Sequence, residues 1–231
     1  MLILCEGVFL MKILLATYWG VPNEGDAHTY IDILKNGLEA EGHQVDLLSH
    51  DQWWQNVYVN CDKENSIQVT KIRDPLSREI LVYYDVHYKE VDNWLVWQDI
   101  HRHTFELAAA YLVDITQYDI IHTMDIFSTR AFSRIKPPDI PLLATIHGLN
   151  IENALKRGEI FGRDSVRWKY YSTLETYGAK SADLTIVPQW LKEEYVEKYN
   201  VPEDRLITSP YSLDQDAVNK ALEIYKFIYQ K

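Results

Sequence analysis

Two adjacent residues, His147 and Gly148, combine chemistry and position suited to a ligand site. They follow residues 142–146, "LLATI", an apolar run typical of a strand buried on both faces. The imidazole is therefore expected at the carboxyl end of that strand, where a neutral ring can hydrogen-bond a sugar hydroxyl or exchange a proton. Gly148 lets a substrate approach the backbone closely. A histidine satisfied by backbone groups is the simpler alternative, but position and chemistry together favour a functional residue.

A glycine-containing loop, "GVPNEGDA", is the second candidate. Gly20 and Gly25 have the spacing of a Walker A loop, but Asp26 and Ala27 stand where that motif needs Lys and Ser or Thr. An acid there would repel phosphate, which argues against a nucleotide triphosphatase, and no G-x-G-x-x-G occurs. Two interpretations stay open: Gly25 beside a helix N-terminus that holds an anion or sugar hydroxyls, or a plain turn capped by Asp26.

A third polar group, His122 and Asp125 in "IIHTMD", follows another apolar run. Its position predicts a polar rim at the end of a strand. Two candidate ligands are too few for a metal site, so no metal is predicted. The sequence also lacks the motifs G-x-S-x-G, C-x-x-C and H-E-x-x-H, which leaves hydrolase and zinc-protease functions without support.

The elements that would position these residues alternate between strands and helices. A strand at 12–18, a helix from 27 to about 38 and a strand at 44–48 form a βαβ unit. After residue 115, further strands are predicted at "YDIIHT", "IPLLATIHG", "DLTIVP" and "DRLITSP", with helices between and after them. This order predicts a single Rossmann-like, doubly wound, mostly parallel α/β sheet with helices on both faces. Ligands of such folds bind beyond the carboxyl ends of the strands.

The segment between 50 and 115 has a less regular pattern. Partial alternation in 67–72 and 80–87, on either side of "RDPLS", predicts a hairpin or an excursion from the sheet. An aromatic-rich helix is expected from about 90 to 115.

Composition narrows the class of protein. The chain has 231 residues, 47% of them apolar, which is enough for a full core. Its net charge of −11 argues against a nucleic-acid partner.

Two cysteines, Cys5 and Cys61, do not make a disulfide framework, so a reducing, cytoplasmic location is expected. No apolar run is long enough to span a membrane. Residues 1–10 are expected to be an appendage, with Met11 as an alternative start.

The ordered set of these segments resembles a known family. The matching stretches are "MKILLATYW", "PNEGDAHTYIDILKNGLEAEGHQVDLLSH", "YDIIHTMD", "IPLLATIHG" and "KSADLTIVPQWLKEEYVEKYNVPEDRLITSPYSLD". Together they resemble the N-terminal domain of family 4 (group 1) glycosyltransferases with the GT-B fold. The resemblance covers about residues 11–214 and is weak between 50 and 115. No single motif is decisive; the specificity lies in the order.

The resemblance implies a function and a set of site residues. It implies the acceptor-side domain of a retaining enzyme that moves a sugar from a nucleotide-sugar donor to a hydroxyl acceptor, without metal or other cofactor. The histidine matched by His147 commonly contacts the donor sugar, so His147 is the catalytic candidate. Candidates for acceptor or donor contact are Gly25, Asp26, His122, Asp125, Gly148 and Asn150.

This sequence differs from the family pattern in three ways. Asp26 replaces the second glycine of the usual pair, "PYSLD" at 210–214 replaces "PNGVD", and no second nucleotide-binding domain follows. The expected division is an appendage at 1–10, a Rossmann-like domain at 11–214 and a helix at 215–231 that packs back on it. Such a chain should be inactive alone, as a truncated form, a remnant or half of a split enzyme.

Alternatives to an enzymatic role stay open at this point. One is a non-catalytic module that binds carbohydrate or docks a partner chain carrying the second GT-B domain. A flavodoxin-like small-molecule domain is a weaker option. Membrane association also stays open because many relatives act on lipid-linked acceptors, although this acidic chain shows no basic amphipathic helix.

Overall fold

The computed structural model of the chain describes residues 10–21, 26–88, 90–209 and 213–229. Within these residues one sheet holds the strands β1 (Lys12–Gly20), β2 (Gln44–His50), β3 (Asn56–Val59), β4 (Ser66–Gln68), β5 (Ile120–Thr123), β6 (Leu142–Thr145), β7 (Leu184–Val187) and β8 (Leu206–Thr208). The helices are α1 (Asp26–Ala40), α2 (Val69–His87), α3 (Asn93–Leu112), α4 (Ile126–Ile135), α5 (Asn150–Lys156), α6 (Val166–Ser181), α7 (Gln189–Glu197) and α8 (Gln215–Tyr229).

The strands lie side by side in the order β4-β3-β2-β1-β5-β6-β7-β8. From β2 to β8 all neighbours are parallel, whereas β3 and β4 add an antiparallel hairpin at one edge. The order reverses beside β1, which has β2 on one side and β5 on the other. This arrangement confirms the predicted doubly wound, mostly parallel sheet, and it puts the switch point at the carboxyl ends of β1 and β5.

Two apolar layers cover the two faces of the sheet. Alternating residues of β1 enter different layers, because successive side chains of a strand point to opposite faces. Leu14 packs with Phe105 of α3 and Phe132 of α4 in the first layer. Leu15 packs with Leu34 of α1 and Val218 of α8 in the second, which is called the α1/α8 layer below. The sheet is therefore a central slab whose interior strands have no solvent-facing side.

The segment after the β3–β4 hairpin corrects one expectation. The hairpin predicted within residues 67–87 is wrong, because this stretch forms the single helix α2 with Pro75 inside it. Within this helix, half-buried residues recur every four positions on the side that packs against α3. They are Ile72, Leu76, Ile80 and Tyr84. Proline inside a helix is costly, so packing against α3 outweighs local propensity here. The true hairpin lies earlier, in β3 and β4.

Helix α5, at Asn150–Lys156, follows directly after the candidate residues His147 and Gly148. Helix α3 is confirmed in type but is shorter than expected, since the Asp92 side chain accepts from the Trp94 N–H (2.9 Å) and starts the helix at Asn93. Among the described residues, no helix combines the length and the apolar character needed to cross a membrane.

A close helix contact yields a test of the packing. A Cβ added at Gly178 of α6 would lie 2.6 Å from Cβ and 2.9 Å from the carbonyl oxygen of Ile126, so α4 or α6 would have to shift. We expect Gly178→Ala to lower the free energy of unfolding by about 1–3 kcal/mol, despite the roughly 1 kcal/mol that alanine gains in a helix. Urea unfolding measures this change.

Gly148→Ala is the matched control for that experiment. Apart from its chain neighbours, a Cβ at Gly148 meets no atom within 4 Å in the part of the chain that the structure describes, and we expect its unfolding free energy to stay near that of the unsubstituted chain. A Gly178→Ala protein as stable as this control would contradict the close packing of α4 on α6.

Candidate functional site

Asp125 fixes the switch point between β1 and β5. Its Oδ2 accepts from the Tyr18 N–H (2.7 Å) and the Thr17 hydroxyl (3.1 Å), while Oδ1 accepts from the N–H groups of Phe127 (2.9 Å) and Ser128 (2.8 Å). The carboxylate thus joins the end of β1 to the start of α4 and caps that helix. It is 4% exposed, and burial raises the pKa of Asp125. The predicted rim position is wrong, because all of its acceptor capacity serves the fold.

His122 is likewise not a rim residue. Its side chain is fully buried in the α1/α8 layer, where Nδ1 lies 2.7 Å from the Tyr225 hydroxyl and Nε2 lies 2.7 Å from Oγ1 of Thr145. Burial, with a smaller contribution from the nearby His147, lowers the pKa of His122 to about 3, so the ring is neutral. The prediction failed because β5 is covered on both faces, which puts even its last residues inside. Among the described residues, no group of three His, Cys, Asp or Glu side chains could hold a metal ion.

A small pocket opens at the carboxyl ends of β6, β7 and β8. It is lined by Tyr30, Thr145, Ile146, His147, Ile186, Val187, Pro188 and Ser209. The rings of Tyr30 and His147 meet edge to face, with centroids 4.9 Å apart and planes at 72°. Burial raises the pKa of Tyr30, so its phenol is neutral and available as a hydrogen-bond donor or acceptor. The pocket therefore combines an imidazole, a phenol and two hydroxyls against an apolar floor.

Gly148 leaves room beside this pocket. His147 and Gly148 are both half-buried, and, apart from the chain neighbours of Gly148, no atom of the described residues lies within 4 Å of the position that a Cβ of residue 148 would take. The backbone at Gly148 has no positive φ that would require glycine. The missing side chain therefore provides open space next to His147, and the fold makes no use of that space.

Glu175 of α6 supports the segment that follows Gly148. Its Oε1 accepts from the backbone N–H groups of Asn150 (2.5 Å) and Ile151 (3.2 Å), and Oε2 accepts from the Tyr195 hydroxyl (2.9 Å). Glu175 is fully buried, and burial raises its pKa to about 7. The main chain of Asn150, which is 7% exposed, is held by this carboxyl group, and its predicted ligand contact stays a prediction.

Sequence reasoning missed Glu175, although a signal existed. Glu175 lies one helical turn after Tyr171 and directly beside Leu174, on the stripe of α6 that faces the core. An acid on an apolar stripe needs a buried partner, and the N-terminus of α5 provides two N–H donors.

The first loop is only partly described. Residues 22–25, which include Gly25, lie outside the described residues, and α1 begins at Asp26, of whose side chain nothing is described. Before the loop, the Val21 N–H donates to the His50 carbonyl (2.8 Å), which joins β1 to β2 at this edge. The predicted ligand contacts of Gly25 and Asp26 therefore stay predictions.

Aromatic side chains gather at the carboxyl ends of β1 and β2. The Tyr18 ring lies 5.5 Å from Trp54 and 5.0 Å from Phe127, measured between centroids. Next to this cluster, Trp19 is 38% exposed and Trp53 is 77% exposed. Trp97 of α3 and Trp190 of α7 are also exposed, at 46% and 63%, although tryptophan is normally well buried.

Comparison with known proteins identifies similar sequences and folds. The family profile described as Glycosyltransferase Family 4 matches residues 27–216, most of the chain. No curated protein sequence matches it. Sucrose-phosphate synthase from Thermosynechococcus elongatus has 16% sequence identity and a TM-score of 0.49, over 86% of this chain and 48% of that one.

A second similar structure is the catalytic domain of Starch Synthase IV from Arabidopsis thaliana bound to ADP and acarbose. It has 11% sequence identity and a TM-score of 0.49, over 90% of this chain and 52% of that one. The chain thus spans about half the length of these two structures.

The burial of Glu175 predicts a pH-dependent stability, because burial raises the pKa of its carboxyl group more than the hydrogen bonds lower it. The pKa of Glu175 is about 7 in the folded chain against an ordinary value of 4.5, so the unfolded chain loses this proton first. The protonated, buried carboxyl group of Glu175 contributes its full stabilisation below pH 4.5. This contribution is lost as pH rises through 7. It amounts to at most about 3 kcal/mol.

Glu175→Gln removes this titration and keeps the shape of the side chain. We expect the unfolding free energy of the unsubstituted chain to fall, relative to the variant, between pH 4.5 and 7. Urea titrations at matched pH values measure the difference. Parallel curves for the two proteins would show that Glu175 does not titrate in this range.

Proposed function

The chain belongs to glycosyltransferase family 4, and we propose that it forms the acceptor-side domain of a retaining glycosyltransferase. The proposed reaction moves a sugar from a nucleotide-sugar donor to a hydroxyl acceptor. In the proposed division, residues 11–214 form the Rossmann-like unit and residues 215–231 pack back on it. A second GT-B domain, or a partner chain that carries one, would hold the nucleotide.

The observation that carries this proposal is the small polar recess at His147, with a cavity volume of about 20 Å³, together with the open space over Gly148 where a sugar ring would lie. It lies at the carboxyl ends of parallel strands, where doubly wound folds bind ligands. The polar groups that face a ligand are the His147 imidazole, the Tyr30 phenol and the Ser209 hydroxyl, and each of these types can both donate and accept hydrogen bonds. This amphoteric set matches the hydroxyls of a sugar, whose oxygens also both donate and accept. It matches a phosphate less well, since the lining residues include no Lys or Arg.

The roles proposed for the residues follow from their positions. His147 hydrogen-bonds a hydroxyl of the transferred sugar, and Gly148 leaves space for the sugar ring. Gly25 and Asp26 keep their predicted contact with the donor or acceptor, and an ionised Asp26 would repel a close donor phosphate. The acceptor approaches along the exposed rings of Trp19 and Trp53. His122 and Asp125 act through the fold and not by contact with the ligand.

A non-catalytic module is the second candidate function. The observation that favours it is the pair of exposed tryptophans at the carboxyl edge, which could bind carbohydrate without any transfer. The two proposals differ in turnover. A glycosyltransferase half should transfer sugar once its second domain or partner chain is added, whereas a binding module should retain carbohydrate affinity and never acquire activity. Turnover by the purified chain alone at ordinary enzyme rates would contradict the first proposal.

Gly148→Ala tests the ligand site without disturbing the fold. A methyl group at this position enters open space, so the unfolding free energy should stay within about 0.5 kcal/mol of the unsubstituted value. If a sugar occupies that space, its affinity should fall about tenfold or more, because the methyl and the sugar ring overlap. Isothermal titration calorimetry with UDP-, ADP- and GDP-hexoses, and with free hexoses as acceptors, measures this loss.

Two further variants complete the experiment. His147→Ala should weaken binding of the same ligand, since it removes the imidazole contact. Lys180→Ala, an exposed substitution on α6 away from the pocket, should leave binding unchanged. Equal affinity of Gly148→Ala, His147→Ala and the unsubstituted chain for every ligand that binds would rule out a sugar site here.

A further inference from the structure

A file of polar side chains crosses the otherwise apolar α1/α8 layer. It begins at Tyr225 of α8, continues through His122 of β5 and Thr145 of β6, and ends at Tyr30 of α1. Tyr225 and His122 are fully buried, while Thr145 is 5% and Tyr30 is 6% exposed. The file therefore connects the last described helix to the pocket of His147 through the protein interior.

The first two steps of the file are short contacts. The Tyr225 hydroxyl lies 2.7 Å from His122 Nδ1, and the two rings meet at 89°. His122 Nε2 lies 2.7 Å from the Thr145 hydroxyl. Thr145 in turn hydrogen-bonds the Tyr30 phenol, whose ring touches the imidazole of His147. Thr145, Tyr30 and His147 line the same pocket.

Packing alone does not account for this choice of residues. Burying a polar group costs free energy unless each donor and acceptor is satisfied, and apolar side chains of similar size fill such a layer without that cost. The neighbours of the file in this layer are apolar, among them Leu143, Ile186 and Ile224. A polar file that leads to a pocket is therefore best explained by what it does at the pocket.

The imidazole of His122 couples the directions of the two hydrogen bonds that it makes. A neutral imidazole donates from one nitrogen and accepts at the other, and each hydroxyl has a single proton to donate. If Tyr225 donates to His122, then His122 donates to Thr145, and the Thr145 proton is available to Tyr30. If Thr145 instead donates to His122 Nε2, then Nδ1 must carry the proton and donate to the Tyr225 oxygen. The Tyr225 hydroxyl thus biases which way the His122 bonds run, and with them whether the Thr145 proton is available to Tyr30.

We propose that Tyr225 of α8 is a positioning residue for the sugar site, acting through His122 and Thr145 on Tyr30 and His147. This inference rests on the proposed function for the identity of the ligand, but the coupling between α8 and His147 is a property of the chain itself. It assigns to α8 a role in ligand binding in addition to its packing against α1.

Tyr225→Phe removes one hydroxyl from the start of the file and keeps the ring. We expect the imidazole cross-peaks of His122 and His147 in ¹H–¹⁵N NMR spectra to shift, with His147→Ala used to assign the second ring. The affinity for the nucleotide sugar that binds the unsubstituted chain should fall about threefold to tenfold, the effect of one lost hydrogen bond. Tyr229→Phe, on the exposed side of the same helix, is the matched control and should change neither signal.

A second pair of variants protects the test against simple loss of folding. Thr145→Val interrupts the file in its middle and should shift the His147 signals, whereas Thr145→Ser keeps the hydroxyl and should restore them. Unmoved His147 signals in folded Tyr225→Phe and Thr145→Val proteins would overturn the inference.

The outcome also separates this inference from the proposed function. Shifted His147 signals in a chain that binds no sugar or nucleotide sugar would support the coupling and contradict the function. Sugar binding that is sensitive to His147→Ala but not to Tyr225→Phe would support the function and contradict the coupling.

Discussion

Burial of the parallel strands on both faces is the constraint on which the rest of this structure depends. Helices cover both sides of the sheet, so any polar side chain within a strand must find its partners inside the protein. Only side chains beyond the ends of the strands are free to meet a ligand. The constraint therefore separates the polar residues near the switch point into two groups, those that hold the edge together and those that face the pocket.

Two buried carboxyl groups illustrate the first group. Asp125 caps α4, and Glu175 holds the N-terminus of α5, so both acids lie where a helix presents unpaired N–H donors. Both helices start at the carboxyl edge of the sheet, beside the segments that would contact a ligand. Burial raises the pKa of each group, which means that the free energy gained from these contacts depends on protonation. Each of the two acids thus ties the start of a helix at this edge to another element of the fold.

Sequence patterns predicted the sheet well and the site only in part. Long apolar runs and their alternation with helical periods identified β1, β2 and β5 to β8, because strands buried on both faces leave that signal. The same signal put His147 at a strand end, where the structure has it. The pattern could not show that His122 is buried. Moving the end of a strand by one residue decides whether a side chain lies in the core or beyond the edge of the sheet.

Other elements depended on tertiary contacts that no local pattern carries. Helix α2 tolerates Pro75 because α3 lies against it, and α5 is held by Glu175, a residue 25 positions away from Asn150 along the chain. In each case a distant side chain outweighs the local preference. Residues 22–25 lie outside the described residues, so the role of the first loop depends on its sequence and on the family resemblance.

The most direct test of the central claim is a crystal structure of the chain soaked with the nucleotide sugars and free hexoses used for calorimetry. The account predicts sugar density in the pocket between Tyr30, His147 and Ser209, with the ring against the open side of Gly148. Sugar bound at another part of the domain, with that pocket empty, would contradict it.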